Sequence, residues 1–210
     1  MFQKHCLYDL QKKLGLSGYS ELKARIRIEQ KEKKPNVEGL LQAMTDSYHK
    51  MMNDLVKKNL TNLFSKIFLA NRVFVYGSGS SQARAASEMK RIFLPAKEMI
   101  QLHGHDQLFT LKKITKPEDL VVIISLSGES NMVIELAKAL KISHVPTVSI
   151  TRLKSNTLAS LCGENLYINS VQMPIKYNIE YEISTPYFIL IEYLYLSYQN
   201  YLTEKKINES

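Results

Sequence analysis

Val73-Phe74-Val75-Tyr76 runs into Gly77-Ser78-Gly79-Ser80-Ser81, and Val121-Val122-Ile123-Ile124 runs into Ser125-Leu126-Ser127-Gly128-Glu129-Ser130. A short Val/Ile-rich run closed by Gly and Ser reads as a parallel strand buried on both faces. The segment after each turn is helical. Gln82 to Phe93 holds no Gly or Pro, and Asn131 to Lys141 is rich in Ala, Leu and Lys. Strand, small-residue turn, helix is the order that aims free backbone N–H groups and a helix N-terminus at an anion. Two such units about 50 residues apart predict two walls of one pocket at a switch point of a parallel sheet.

The residue types say which anion. Gly77 and Gly79 allow close backbone approach, and Ser80, Ser81, Ser125, Ser127 and Ser130 can supply hydroxyl donors, which suits a phosphate. Neither turn contains a lysine or the GxxxxGK[ST] pattern of a nucleoside-triphosphate loop. Gly77-Ser78-Gly79 starts a dinucleotide-type GxGxxG, but the sixth position is Gln82. Ordinary strand-to-helix connections also carry Gly and Ser. The serine density in both turns together is what favours an anion.

GSGSS after one strand and SxSGxS after another resemble the two signature turns of the SIS (sugar isomerase) domain, over roughly Leu60 to Leu202. The resemblance implies a three-layer, flavodoxin-like α/β fold with a five-stranded parallel sheet, and phosphosugar binding. The family's phosphate-binding positions fall on Ser81, Ser125, Ser127 and Ser130, with help from Gly79 and from the backbone of Ser80 and Gly128. The family usually has threonine where this chain has Ser130, which keeps the hydroxyl. Members commonly place a His and a Gln at the pocket mouth, and His105 and Gln107 fit those positions.

At 210 residues the chain has room for one α/β domain and a small appendage. Its 45% hydrophobic and 23% charged content is that of a globular protein. No apolar run reaches bilayer length and Met1 to Leu10 has no secretory core, so a cytoplasmic protein without membrane attachment is expected. Cys6 and Cys162 are too few and too far apart for a disulfide framework or a metal knuckle. His103 and His105 with Asp106 alternate in an extended chain and would not converge on one ion. No metal and no cofactor is expected.

Charge is uneven. Met1 to Pro35 holds nine Lys/Arg against four Asp/Glu, a surplus of five out of the chain's net +8. A basic appendage is a nucleic-acid cue, although surface lysines alone give the same signal. Cys6, Leu7, Leu10 and Leu14 lie on one helical face, Gly15 suits a C-terminal cap, and Ser20 can cap a second short helix. The stretch from Leu7 to Lys23 resembles the end of the helix-turn-helix domain of RpiR-type regulators, with their KKLGxxGxxxxK segment. Such a domain needs about 45 to 50 further residues before Met1, so this segment is expected to be a remnant. The expected organisation is residues 1–35 as helix-turn-helix remnant and linker, and residues 36–210 as SIS domain with its leading helix.

Elsewhere, Val37 to Asn71 has helical spacing with a break at Asn59-Leu60-Thr61, and a stripe of Tyr48, Met51, Met52 and Leu55. Glu98 to Leu102, Pro146 to Thr151 and Glu164 to Ile168 are predicted strands, Ser155 to Leu161 is a predicted short helix, and Ser170 to Asn178 reads as a loop. Lys90 and Arg91 are expected to face solvent. Tyr181 to Leu202, which contains Glu192, is apolar around nearly its whole circumference and must be buried, in its own core or against a partner. A homodimer or higher homo-oligomer is expected from it and from the Tyr48 to Leu55 stripe, and the family resemblance implies a dimer. The composite reading is a sugar-phosphate-sensing transcription regulator, not an enzyme, acting on DNA through a complete helix-turn-helix. The alternatives are a free-standing phosphosugar isomerase, or a SIS scaffold without ligand or with lyase-like activity. An isomerase needs a general base, for which His105, Glu129, Glu180 and Glu182 are the candidates. The family regulators often have a Ser-Arg pair before the last helix; this chain has Ser184-Thr185-Pro186.

Overall fold

The structure is a computed structural model and describes residues 37–175 and 179–208. The expected helices between Cys6 and Ile26 lie outside the described residues. Five strands form a parallel sheet: β1 (Val73–Ser78), β2 (Met99–Leu102), β3 (Leu120–Ser125), β4 (Thr147–Arg152) and β5 (Glu164–Ile168), in the order β2-β1-β3-β4-β5. The helices are α1 (Val37–Val56), α2 (Thr61–Leu69), α3 (Ser80–Phe93), α4 (Gly104–Ile114), α5 (Asn131–Ile142), α6 (Thr157–Leu161) and α7 (Thr185–Asn208). The break before α2 falls where the sequence places it, and the Thr61 N–H donates to Asn59 Oδ1 at 2.9 Å.

Alternation along the strands shows why the central strands β1 and β3 are so rich in apolar residues. Val73 and Val75 of β1, Val122 and Ile124 of β3, and Val148 and Ile150 of β4 pack on one face with Phe64, Ala85, Phe93, Leu190 and Tyr198. Phe74, Tyr76, Val121 and Ile123 pack on the other with Leu111, Leu136, Leu140 and Leu158. Both faces are covered, which makes three layers. Burying each such side chain contributes about 1.5–3 kcal/mol. Ala85 and Ala86 are fully buried and let α3 lie close on the sheet. Lys90 and Arg91, on the outer side of α3, are exposed as expected, and Arg91 pairs with Glu88 at 2.6 Å.

Two features differ from the sequence reading. The segment read as a loop over Ser170 to Asn178 contains β6 (Gln172–Ile175), which pairs antiparallel with β7 (Ile179–Glu182). Pro174 masked this strand in the sequence, since proline suits only strands with little ladder to donate to, as in a two-stranded ribbon. The closing helix accordingly starts at Thr185 and not at Tyr181, which is a strand residue. By contact the chain divides into two units, Met1–Ala43 with Gln172–Glu182, and Met44–Val171 with Ile183–Ser210. The second holds the sheet and its helices; in the first, the hairpin is closed by ladder pairs from Gln172 with Glu182 to Ile175 with Ile179.

Helix α7 buries Tyr187, Leu190, Ile191, Leu194 and Tyr198 in the domain's own core, where Tyr198 lies 5.6 Å from Phe64 and 5.8 Å from Phe93 between ring centroids. Its apolar residues elsewhere are only partly covered, and Leu196 is 64% exposed. Among the described residues, no helix is long and apolar enough to cross a membrane.

Candidate functional site: two serine turns at the sheet's switch point

The chain leaves β1 in one direction to reach β2, then crosses back to β3 on β1's other side. The crevice at such a reversal opens at the C-terminal strand ends. Register puts both serine turns there: Ser78, the last residue of β1, is the ladder partner of Ser125, the last of β3. Tyr76 pairs with Leu102 at the end of β2, so the loop entering α4 leaves the same edge.

The first turn is built by glycine. A Cβ on Gly77 would lie 2.2–2.4 Å from backbone atoms of Gln82 and Ala83, so only glycine lets α3 begin so close to its strand. Gly79 precedes the helix at φ +110°, and no side chain caps the helix start. Ser80 and Ser81 are the first two helical residues, exposed and half-buried respectively. Gln82, the residue that spoils the dinucleotide pattern, is buried, and its Nε2 donates to the Tyr187 hydroxyl at 3.3 Å.

The second turn is built by hydroxyls that stand in front of its amides. The Gly128 N–H donates to Ser125 Oγ at 3.3 Å, and the Glu129 N–H donates to Ser127 Oγ at 3.2 Å. Each hydroxyl still has its own proton to give. Ser125 is buried, Ser127 exposed, and Ser130 occupies the N-cap position of α5 without a side-chain cap bond. Two uncapped helix starts and two serine-held amides therefore converge at one sheet edge, an arrangement that can accept an anion.

Of the two residues expected at the pocket mouth, Gln107 lies in α4, and its Oε1 accepts the His103 N–H at 2.7 Å, leaving its amide NH2 for other partners. His105 lies in the first turn of α4, and its side chain falls outside the described residues. Three contributions carry no phosphate signal in the sequence: Tyr76, Asn156 and Thr157. The Tyr76 hydroxyl donates to Met132 Sδ at 3.4 Å, and burial pushes it up, partly offset by a bond with Ser78. Asn156 and Thr157 come from the connection between β4 and α6, whose Ser-Asn-Thr sequence is an N-cap signal. Asn156 Oδ1 accepts the Ala159 N–H at 2.8 Å, and Glu129 accepts both the Thr157 N–H and the Thr157 hydroxyl at 2.8 Å.

Those last bonds bear on acid–base chemistry. The Thr157 N–H, then its hydroxyl, hold the Glu129 carboxyl below the usual glutamate range. A carboxylate so stabilised is a weak base. Glu182 accepts from Gln172 Nε2 at 3.1 Å within the hairpin, and Glu180 is exposed there. No cluster of three or more His, Cys, Asp or Glu able to hold a metal is present among the described residues. A cleft of about 80 Å³ beside α1 is lined by Met51, Lys58, Leu153 and Tyr167. It is far smaller than the roughly 300–1,000 Å³ of ligand pockets, and it carries neither serine turn.

The SIS domain family matches residues 66–190. The chain belongs to that family, and its α/β fold with a five-stranded parallel sheet is the SIS fold. It is related, more narrowly, to helix-turn-helix transcription regulators of the GlvR and RpiR type. It is 33% identical over 202 residues to the HTH-type transcriptional regulator GlvR of Bacillus subtilis, covering 95% of this chain and 79% of that protein. The Vibrio vulnificus NanR protein complexed with ManNAc-6P superposes with a TM-score of 0.64 at 18% identity, covering 94% of this chain and 77% of NanR. The sugar isomerase domain of an RpiR transcription factor from Sphaerobacter thermophilus gives 0.64 at 14% identity, covering 81% and 98%. Isomerases share the fold as well.

Proposed function

We propose that this chain carries the effector-binding part of a transcription regulator that responds to a sugar phosphate. The observation that supports the reading most is the pairing of Ser78 with Ser125, which sets both serine turns on neighbouring strands at the switch point. In this reading Ser81, Ser125, Ser127 and Ser130 give hydroxyl bonds to the phosphate, and Gly79, Ser80 and Gly128 give backbone approach. His105 and Gln107 address the sugar. Residues 1–35 belong to the DNA-binding part and residues 36–210 to the SIS part. The kinship with GlvR, and NanR's complex with ManNAc-6P, favour a regulator responding to a phosphosugar over an enzyme. The bonding of Glu129 to Thr157 takes one base candidate away from the isomerase alternative.

The partly covered outer side of α7, with Leu196, suits a second copy of the chain. Phosphate bridging two turns of a dimer would shift its population between arrangements of the DNA-binding parts. Light scattering should give about twice 24.1 kDa.

Calorimetry with hexose 6-phosphates, amino-sugar phosphates and their parent sugars tests the pocket. A hydrogen bond to a charged group contributes ~1.5–3 kcal/mol, so Ser127→Ala should weaken phosphosugar binding roughly tenfold to a hundredfold. Equal affinity for sugar and sugar phosphate, or unchanged affinity in both Ser125→Ala and Ser127→Ala, removes the phosphate site. Product formation in the same mixtures replaces the regulator with the isomerase.

A further inference from the structure

Glu129 poses an electrostatic problem. It sits between Ser127 and Ser130, in the middle of a turn read as holding an anion, and a carboxylate there should repel a phosphate. The structure shows where its charge goes. Its Oε1 accepts the Thr157 N–H and its Oε2 the Thr157 hydroxyl, both at 2.8 Å, across 28 residues of sequence. It is therefore turned to the start of α6, and Lys154 adds a further favourable charge.

The end of β4, the connection after it and the start of α6 touch the turn at three other places. The Leu158 N–H donates to the Gly128 carbonyl at 3.1 Å, and the Arg152 N–H to the Leu126 carbonyl at 3.1 Å. Asn156 Oδ1 lies only 2.2 Å from where a Cβ on Gly128 would be. Asn156 is itself fixed, donating through Nδ2 to Thr151 Oγ1 at 3.0 Å and to the Lys154 carbonyl at 2.9 Å. The backbone amides of Gly128 and Glu129, the ones facing Ser125 and Ser127, thus belong to a segment held from behind by the β4–α6 connection.

We infer that Glu129 and Thr157 form a clamp that positions the second serine turn for phosphate, with Glu129 as a positioning residue and not a base. The inference rests on the phosphate reading above and deepens it. Its signature is a sign. By charge alone, removing a carboxylate from an anion site strengthens anion binding. By the clamp, Glu129→Ala loses two charge-assisted bonds, the turn loosens, and binding weakens.

The experiment is calorimetry of the whole chain with glucose 6-phosphate, N-acetylmannosamine 6-phosphate and inorganic phosphate, at fixed salt. Glu129→Ala should weaken the best phosphosugar roughly fivefold to tenfold, about the scale of one lost hydrogen bond. Glu129→Gln keeps an acceptor for the Thr157 N–H and should recover much of the loss. Thr157→Val, which keeps the N–H and loses the hydroxyl, should fall between wild type and Glu129→Ala. Hydrogen exchange should quicken in residues 127–131 and 156–159 of Glu129→Ala while the core strands stay protected, a local loosening. Affinity in Glu129→Ala equal to or tighter than wild type overturns the clamp. So does a Glu129→Gln variant as weak as Glu129→Ala. If the wild-type chain binds none of the probes, the phosphate reading itself falls and takes the inference with it. That failure is recognised in the wild type, before any variant is compared.

Discussion

Gly128→Ala puts the geometry of the second turn to a quantitative test. Gly128 has φ +68°, where an L-residue is strained by about 1–2 kcal/mol. The added Cβ would also stand 2.2 Å from Asn156 Oδ1 and 2.6 Å from its Cγ. Asn156 must withdraw, and in doing so it releases the Ala159 N–H that it caps at 2.8 Å. Losing an N-cap of this kind costs about 0.5–2 kcal/mol. The variant should therefore be destabilised by roughly 2–4 kcal/mol, which for a chain of this size lowers Tm by roughly 4–16 °C. Asn156→Ala alone should cost about 1–2 kcal/mol through the same cap. In the double variant the cap is lost only once, so the combined cost should fall short of the sum by about 1 kcal/mol. Urea unfolding followed by far-ultraviolet circular dichroism, on all four proteins of the cycle, measures this. Additive costs, or a Gly128→Ala penalty under about 0.5 kcal/mol, a size typical of surface changes, would refute the packing of Asn156 on Gly128.

Three further outcomes concern the core. Burial pushes the Asp119 carboxyl up, but bonds from Arg72 (Nε 3.0 Å, Nη2 2.7 Å) and the Lys116 N–H more than offset it, so its folded value is lowered. That contribution is present above the ordinary aspartate value of about 3.9 and is lost as pH falls through the lower folded value. Asp119→Asn should cost about 1–3 kcal/mol at pH 7, because the partner Arg72 is half-exposed and the pair is partly screened, and its acid unfolding curve should be flatter than wild type below pH about 4; a variant that keeps the wild-type pH profile removes this account. Burial pushes the Cys162 thiol up to about 11, so the folded protein should leave Cys162 unalkylated by iodoacetamide at pH 8 and react there only in denaturant, read by peptide mass spectrometry. The Tyr48 hydroxyl is the one buried side-chain polar atom without a hydrogen-bond partner among the described residues; Tyr48→Phe should be neutral or stabilising by up to about 1 kcal/mol, because it removes an unpaired group, and a clear loss of Tm would show that the hydroxyl is engaged.

The centre of the sheet was legible because β1 and β3 are buried on both faces. Val73 to Tyr76 and Val121 to Ile124 have nothing but apolar, mostly β-branched residues, and the turn residues mark where each ends. The register was not legible from any single strand, since a parallel pair is joined through a helix and carries no hairpin turn to fix it. The hairpin from Gln172 to Glu182 was missed for the opposite reason: four-residue strands offer too few alternations to distinguish a ribbon from a loop, and Pro174 argues against a strand. Helix α7 read as apolar nearly all round, and one face of it fills the domain's own core. A composition count registers its aromatic residues without saying which of them face Phe64 and Phe93.

The candidate site was legible in its donors and illegible in its support. Hydroxyls and glycines announce themselves by type, so Ser80, Ser81, Ser125, Ser127 and Ser130 stand out as possible donors, while the choice of Ser81, Ser125, Ser127 and Ser130 for a phosphate comes from the resemblance to the SIS turns. What contacts the second turn comes from residues whose type says nothing of phosphate. Asn156 and Thr157 look like an ordinary cap for a five-residue helix, and they do cap it. Glu129 looks like an available base, because an acidic residue beside a pocket is read by its pKa in water. Its partners lie 28 residues onward, on a connection that the fold brings to the turn only because β4 is the neighbour of β3. The same adjacency that stacks Val122 against Val148 in the ladder sets Gly128 against Asn156 beyond it. Sheet order therefore decides two things at once in this chain. It sets the ends of β1 and β3 side by side, and it brings Asn156 and Thr157, which follow β4, into contact with Gly128 and Glu129 of the second turn.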